Sequence, residues 1–404
     1  MKVGIYLPDM SPTSGGAFTF VETVLGNLAA NASDTLVVFH YGSSAELAAK
    51  YAGTKVSFHS LAATRAGRLA KKAFFGQVTA RLQMPVFHAA NVLGRAAPHI
   101  PASPLDRAAH RLGIDLVWFP TPMYEHVDVP YVITVWDLEH RLQPYFPELG
   151  TRAEFTRREQ LFGDALRRAA YVVTGTNVGR DEIVRFYNVE PSRIRMLPHP
   201  TPSFALDAAG TTPPVPVPVR TPFVMYPAQF WAHKNHVGLL RGVAELAGRG
   251  VTVDCALVGS DTGNQAYVRE RAVELGIADR VHILGFVSRD DLVALYRNAL
   301  ALVYTSQCGP ENLPPLEAMA LGCPVIASDI AGSREQLGDA AVLVDTLDAS
   351  ALADSIHRVM TQSAHRDELV RRGHVRASRY TQREFGRDLG AILDEFRRRH
   401  DLWR

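Results

Sequence analysis

Cysteine is scarce in this chain. The 404 residues hold three, Cys255, Cys308 and Cys323, all in the second half. So sparse and odd a set is no disulfide framework, and without a Cys-x-x-Cys pair it suggests no zinc site. A reducing compartment is the expected home. Long apolar runs are missing too. None reaches membrane-spanning length, and Val3-Gly4-Ile5-Tyr6-Leu7, directly after Met1-Lys2, is too short for a signal peptide. The expected location is cytoplasmic, with peripheral attachment at the inner face of the cell membrane as an option. A charge surplus is also lacking. With 43 basic and 41 acidic side chains the formal net charge is +2, which gives no global case for nucleic acid. Lysine is rare: Lys2, Lys50, Lys55, Lys71 and Lys72 are followed by Lys234 alone. Either codon usage or chemistry explains a lone lysine among arginines. A compact ammonium charge does what a guanidinium fork does not.

A repeated alternation is what the chain does have. Residues 3–7 read as a buried strand, 9–16 as a turn-rich loop, and 18–29 as a helix with Phe20, Val24, Leu25 and Leu28 on one side. Residues 36–40 form the next strand, so the pattern is βαβ and implies a parallel sheet. The loop is not Gly-x-Gly-x-x-Gly, which removes the dinucleotide fingerprint. Gly15 and Gly16 either make the turn or let a ligand approach the backbone and the helix N-terminus. Residues 61–112 read as mostly helical and basic, with Arg65, Arg68, Lys71, Lys72, Arg81 and Arg95. Such a face is either solvated or a candidate membrane contact. The strand at 131–135 runs into Trp136-Asp137-Leu138-Glu139-His140-Arg141, and the carboxyl end of a strand is a good place for acceptor binding or proton transfer. Asp137 and His140 are the candidates there, against ordinary turn and capping roles. The proline-rich stretch at 198–222 has no period and reads as a linker. After it the alternation restarts.

The expected class is therefore α/β, with two Rossmann-like doubly wound domains facing each other across a cleft. Residues 1–200 form the acceptor-side domain, 201–221 the linker and 222–380 the ligand-binding domain. A helix at 381–404 follows, for which packing back on the first domain is one option. The most informative stretch is Ser306-Gln307-Cys308-Gly309-Pro310-Glu311-Asn312-Leu313-Pro314-Pro315-Leu316-Glu317-Ala318. A strand precedes it, a helix opens within it, and Glu317 falls in or next to the first turn. Taken alone, Glu317 would simply complement the helix dipole.

Taken with the rest, these features resemble the retaining GT-B-fold glycosyltransferases of family 4 (glycosyl transferases group 1, mannosyltransferase-like). Asn312-Leu313-Pro314-Pro315-Leu316-Glu317-Ala318 matches the end of that family's donor loop. The resemblance assigns Glu317 to the ribose of a nucleotide-diphosphate sugar and Lys234 to its phosphates. Gln229 stands where the family has arginine, Gly309 where it has its first glutamate, and Trp136 where it often has histidine. Without that glutamate, the sugar is expected to lie against Gly309, Pro310, Glu311, Asn312 and Leu313. The donor site is completed by Gly15, Gly16, Asn235, Gly259, Phe286 and Val287, and Gly332-Ser333-Arg334-Glu335 matches the family's Gly-x-x-Glu segment. Lys234, Glu317 and Asp137 are implied as catalytic, and Asp137 and His140 as acceptor-side. No cofactor and no metal are implied, since no Asp-x-Asp motif occurs in a donor context. The implied reaction moves a hexose, with GDP-mannose as first choice of donor, to a glycan or lipid-linked acceptor in polysaccharide assembly. The alternatives are a GT-B-fold sugar-nucleotide epimerase and a non-catalytic partner protein. Gly309, Gln229 and Trp136 speak for the latter.

Overall fold

Apolar runs without polar alternation make strands buried on both faces, and such strands belong in parallel sheets covered by helices. Leu116–Phe119, Tyr131–Thr134 and Ala301–Tyr304 are buried at every residue. In the computed structural model, which describes residues 1–10, 15–31, 34–42, 45–63, 102–208 and 218–403, these runs build two parallel sheets. The first contains β1 (Lys2–Tyr6), β2 (Thr35–His40), β3 (Val56–Ser60), β4 (Leu116–Phe119), β5 (Tyr131–Thr134), β6 (Tyr171–Thr174) and β7 (Ile194–Met196), in the order 3-2-1-4-5-6-7. The second contains β8 (Phe223–Pro227), β9 (Asp254–Val258), β10 (Val281–Gly285), β11 (Ala301–Tyr304), β12 (Val325–Ser328) and β13 (Val342–Val344), in the order 10-9-8-11-12-13. This is the two-domain α/β class expected above. Strand β3 is an addition. Its Val-Ser-Phe-His-Ser sequence lacks an apolar run, and among the described residues it is an edge, paired only with β2. The basic stretch around Lys71 and Lys72, and the centre of the proline-rich linker, lie outside the described residues. Among the described residues no helix is long and apolar enough to cross a membrane.

Strand order reverses between β1 and β4 in one sheet and between β8 and β11 in the other. Ligands bind at such switch points, outside the carboxyl ends of the strands. The loops that leave β1, β8 and β11 are the ones that carry Gly15, Lys234 and Gly309.

The chain crosses between domains twice. After the second crossing, the helix Gln382–His400 lies on the first domain, where Phe385, Leu389, Ile392 and Phe396 join the core of β1 and of the helix Gly16–Asn31. Phe385 is 0% exposed, with its ring 6.1 Å from that of Phe20 and 6.5 Å from that of Trp118. Thr381 and Glu384 form a capping box that fixes where this helix starts. The two crossings are bonded to each other. Thr201 N donates to the Tyr380 carbonyl at 2.9 Å, and Thr201 Oγ1 to the Ala377 carbonyl at 2.8 Å.

Emptying the Phe385 site removes a fully buried ring that little can collapse into. Phe385→Ala should therefore destabilise the first domain by about 3–5 kcal/mol, read as a lower urea midpoint at unchanged m-value.

Candidate active site in the interdomain cleft

Both sheets present their carboxyl ends to one cleft of about 730 Å³. From the second domain, β8 leads to a single 3₁₀ turn, Ala232–Lys234, and then to the helix His236–Gly248. The Lys234 carbonyl is clamped by the Tyr226 hydroxyl at 2.6 Å and the Thr305 hydroxyl at 3.2 Å. Its ammonium group points into the cleft, 3.4 Å from both the Tyr304 and Ser306 hydroxyls. Neither partner carries charge, so the ammonium is held in place without being neutralised by them.

The loop after β11 opens the helix Leu313–Ala320, with Pro314 in its first turn. Glu317 is one turn further in, too deep for a purely helix-dipole role, and only 6% exposed. Its Oε2 accepts the Tyr296 hydroxyl at 2.7 Å, and burial raises its carboxyl to about 7. Lysine and glutamate thus stand in the turn after β8 and in the helix after β11 of one domain, lining one cavity.

The opposite wall belongs to the first domain. Gly15, with φ +66°, and Gly16 begin the helix Gly16–Asn31 there. Asp137 lines the cleft and accepts Arg158 Nη1 at 2.8 Å and the Glu139 amide at 3.1 Å. Aromatic rings fill the space beside it: Phe20 and Trp136 lie 4.7 and 5.8 Å from the His199 ring.

Five glutamates span the two domains. Glu22 receives Arg289 at 2.7 Å, Glu139 the Gly309 amide at 2.8 Å, Glu148 the His233 amide at 2.8 Å, Glu311 the His199 amide at 2.9 Å and Glu335 the Asn177 amide at 2.7 Å. Glu335 also takes the Val178 amide at 3.2 Å, so it satisfies the free N–H groups at the start of the helix Asn177–Tyr187. Glu311 lies so close over Gly175 that a Cβ there would collide with its carboxylate.

Residues 213–376 match the family model described as Glycosyl transferases group 1. The second domain belongs to the group 1 glycosyltransferases, and the whole chain takes the GT-B fold. Similar curated proteins include a D-inositol 3-phosphate glycosyltransferase of Acidothermus cellulolyticus, 29% identical over 231 residues, covering 54% of this chain and 51% of the relative. The O-antigen chain mannosyltransferase RfbU of Salmonella typhimurium is 24% identical over 235 residues, covering 58% of this chain and 63% of the relative. These matches span between half and two thirds of the relatives' length. Among solved structures, sucrose-phosphate synthase from Thermosynechococcus elongatus superposes with a TM-score of 0.72 at 18% identity, over 98% of this chain and 99% of that one. Anabaena HepE in complex with UDP and glucose superposes with a TM-score of 0.66 at 17% identity, over 98% and 100%.

Within this group 1 fold, most of the residues singled out from sequence meet in the cleft. Gln229, Gly259, Phe286, Val287, Asn312 and Leu313 line it together with Lys234 and Glu317. Gly309 and Glu311 line it as well, but Glu311 spends its carboxylate on the His199 amide of the other domain. Three residues stand elsewhere. Asn235 is a helix cap, with φ +51° and its Oδ1 on the Gly238 amide at 3.0 Å. His140 is 0% exposed, bonded to Glu159 at 2.8 Å and stacked on Phe162, and burial lowers its basicity. It is a core histidine, not an acceptor-side group. Pro310 is buried, with its backbone packed against Gly332.

Sequence reasoning gave no role to Glu139, Arg158, His199 or Arg289, all of which line the cleft. Of these, Glu139 carried a local signal, its place in the acidic stretch that follows β5.

Burial raises Glu139, Glu182 and Glu317 alike to about 7. A carboxyl raised in the folded state stabilises at low pH, and that contribution is lost as pH climbs from the unfolded value near 4.5 towards 7. These three groups therefore tilt stability towards low pH, against His140, His233 and His236, whose burial-lowered basicity favours the folded state at higher pH. Glu317→Gln keeps an acceptor for Tyr296 and should remove its share of this tilt, gaining roughly 1–3 kcal/mol at pH 8, as measured by urea unfolding at pH 5.5 and pH 8.

Proposed function

We propose that this chain is a retaining, metal-independent hexosyltransferase. It takes a hexose from a nucleotide-diphosphate sugar and delivers it to a glycan or lipid-linked acceptor in polysaccharide assembly. The observation that carries the reading is that Lys234, in the turn after β8, and Glu317, in the helix after β11, line one interdomain cavity at the switch point of the second sheet. The family match and the named activities of the relatives support it.

In this reading Glu317 orients the ribose, whose two vicinal hydroxyls suit a carboxylate acceptor. Lys234 then faces the diphosphate. Charge grows on that group as the glycosidic bond breaks, and a fixed ammonium in a water-poor site stabilises it. This supplies the leaving-group charge compensation that a divalent cation would otherwise provide. The acceptor hydroxyl enters from the first domain, beside Asp137 and Gly16. It attacks the anomeric carbon on the face from which the nucleoside diphosphate departs, which retains the configuration, and a phosphate oxygen of the departing group takes its proton, so no dedicated base is needed. Mannose is the first choice of sugar, on the strength of the O-antigen chain mannosyltransferases of Salmonella and Escherichia coli. Working at the cytoplasmic face of the membrane would suit a lipid-linked acceptor.

A thermal-shift screen against GDP-, UDP- and dTDP-hexoses tests the reading. A cognate donor at a hundred times its Kd should add about 2.7 kcal/mol, and no shift with any of them would remove the enzyme assignment. Lys234→Ala should lower transfer by about 10²–10³-fold. Transfer at the wild-type rate would show that the lysine is not the phosphate group's partner.

A further inference from the structure

Glu139 lines the cleft and crosses between domains with a buried oxygen left over. It follows β5 in the first domain and is 8% exposed. Asp137 holds its amide at 3.1 Å, which fixes the loop. Its Oε1 accepts the Gly309 amide of the other domain at 2.8 Å. Its Oε2 is buried and, among the described residues, has no nitrogen or hydroxyl donor, the Cys308 thiol being the one weak donor beside the carboxyl. The charges around it are those of Asp137 and Lys234.

A bare carboxylate oxygen inside a protein is costly, and a ligand donor that reaches it recovers that cost. Several features decide which ligand atom this is. Gly309 lies on the loop that joins Ser306, a Lys234 partner, to the helix bearing Glu317. The carboxylate is therefore on the donor side of the cleft. In its ionised form the carboxylate repels a diphosphate. A neutral hydroxyl is left as the fitting partner, and Glu317 at the far end of the loop already serves the ribose. Gly309 has φ +100°, a backbone that a side chain enters only with strain. The loop therefore brings its amide to the sugar end of the site but no side chain.

Resting on the function proposed above, we infer that Glu139 accepts a hydroxyl of the transferred hexose, so that the first domain supplies the sugar-binding side chain which the donor loop lacks at Gly309. The pocket for the hexose is then shared by both domains.

Glu139→Gln separates this role from simple bridging, because the amide oxygen still accepts the Gly309 N–H. With the donor found by the screen, the variant should lose roughly 10- to 100-fold in kcat/KM. Its affinity for the matching nucleoside diphosphate should stay within threefold of wild type, which also shows that it is folded. Among the monodeoxy forms of that hexose, one should cost the wild type a similar factor and cost Glu139→Gln nothing more. Transfer by Glu139→Gln within threefold of wild type would overturn the inference, as would equal losses of affinity for nucleoside diphosphate and nucleotide sugar. A wild type that binds no nucleoside diphosphate defeats the transferase reading itself, and the inference falls with it.

Discussion

Carboxylates that cross the cleft to accept backbone amides hold the two domains against each other. Glu139 and Glu311 do so in opposite directions, one from each domain. A carboxylate oxygen on a main-chain N–H is a charge-assisted bond. It also depends only on where the backbone runs, so the loops at the two switch points are registered against each other directly. Glu148 and Glu335 extend the same device to either side. The cavity, the facing of Lys234 towards Asp137 and the closeness of Gly16 to Leu313 all follow from that registration.

The fold was legible because parallel strands buried on both faces write themselves as unbroken apolar runs. Strand β3 escaped because an edge with Ser57 and His59 carries no such run. Lys234 and Glu317 were legible as parts of local motifs. The role of Glu139 was not, because its partner lies 170 residues away at Gly309. The same holds for Glu311 and His199, 112 residues apart. No local pattern encodes a partner on another domain. Asn235 was misread because a helix cap and a polar ligand residue look alike after a turn. His140 was misread because a histidine three positions after the strand-end acid Asp137 suggests a site, whereas its ring completes a stack with Phe162.

Burial accounts for both the chemistry and the cost of this cleft. Glu139 and Glu317 sit where their charged forms are poorly solvated. In the ligand-free protein this is destabilising. It also means that hydroxyl donors arriving with a ligand meet acceptors with little competition from water. The cleft is therefore poor in stability where it is rich in recognition, a common trade at functional sites.

The bonds from Thr201 to Ala377 and Tyr380 tie the two interdomain crossings into a single knot of chain. Two bodies joined at one small region can swing like the leaves of a book, but they cannot slide past each other or separate. A lever of this kind moves least at its spine and most at its outer margin. Angular play at the knot therefore becomes ångströms of travel at the far edge of the cleft, while residues near the spine hardly shift. Bridges close to the knot act on the hinge angle with little leverage. Those at the outer margin hold the leaves shut with the most mechanical advantage, and they are the first to part when the book opens.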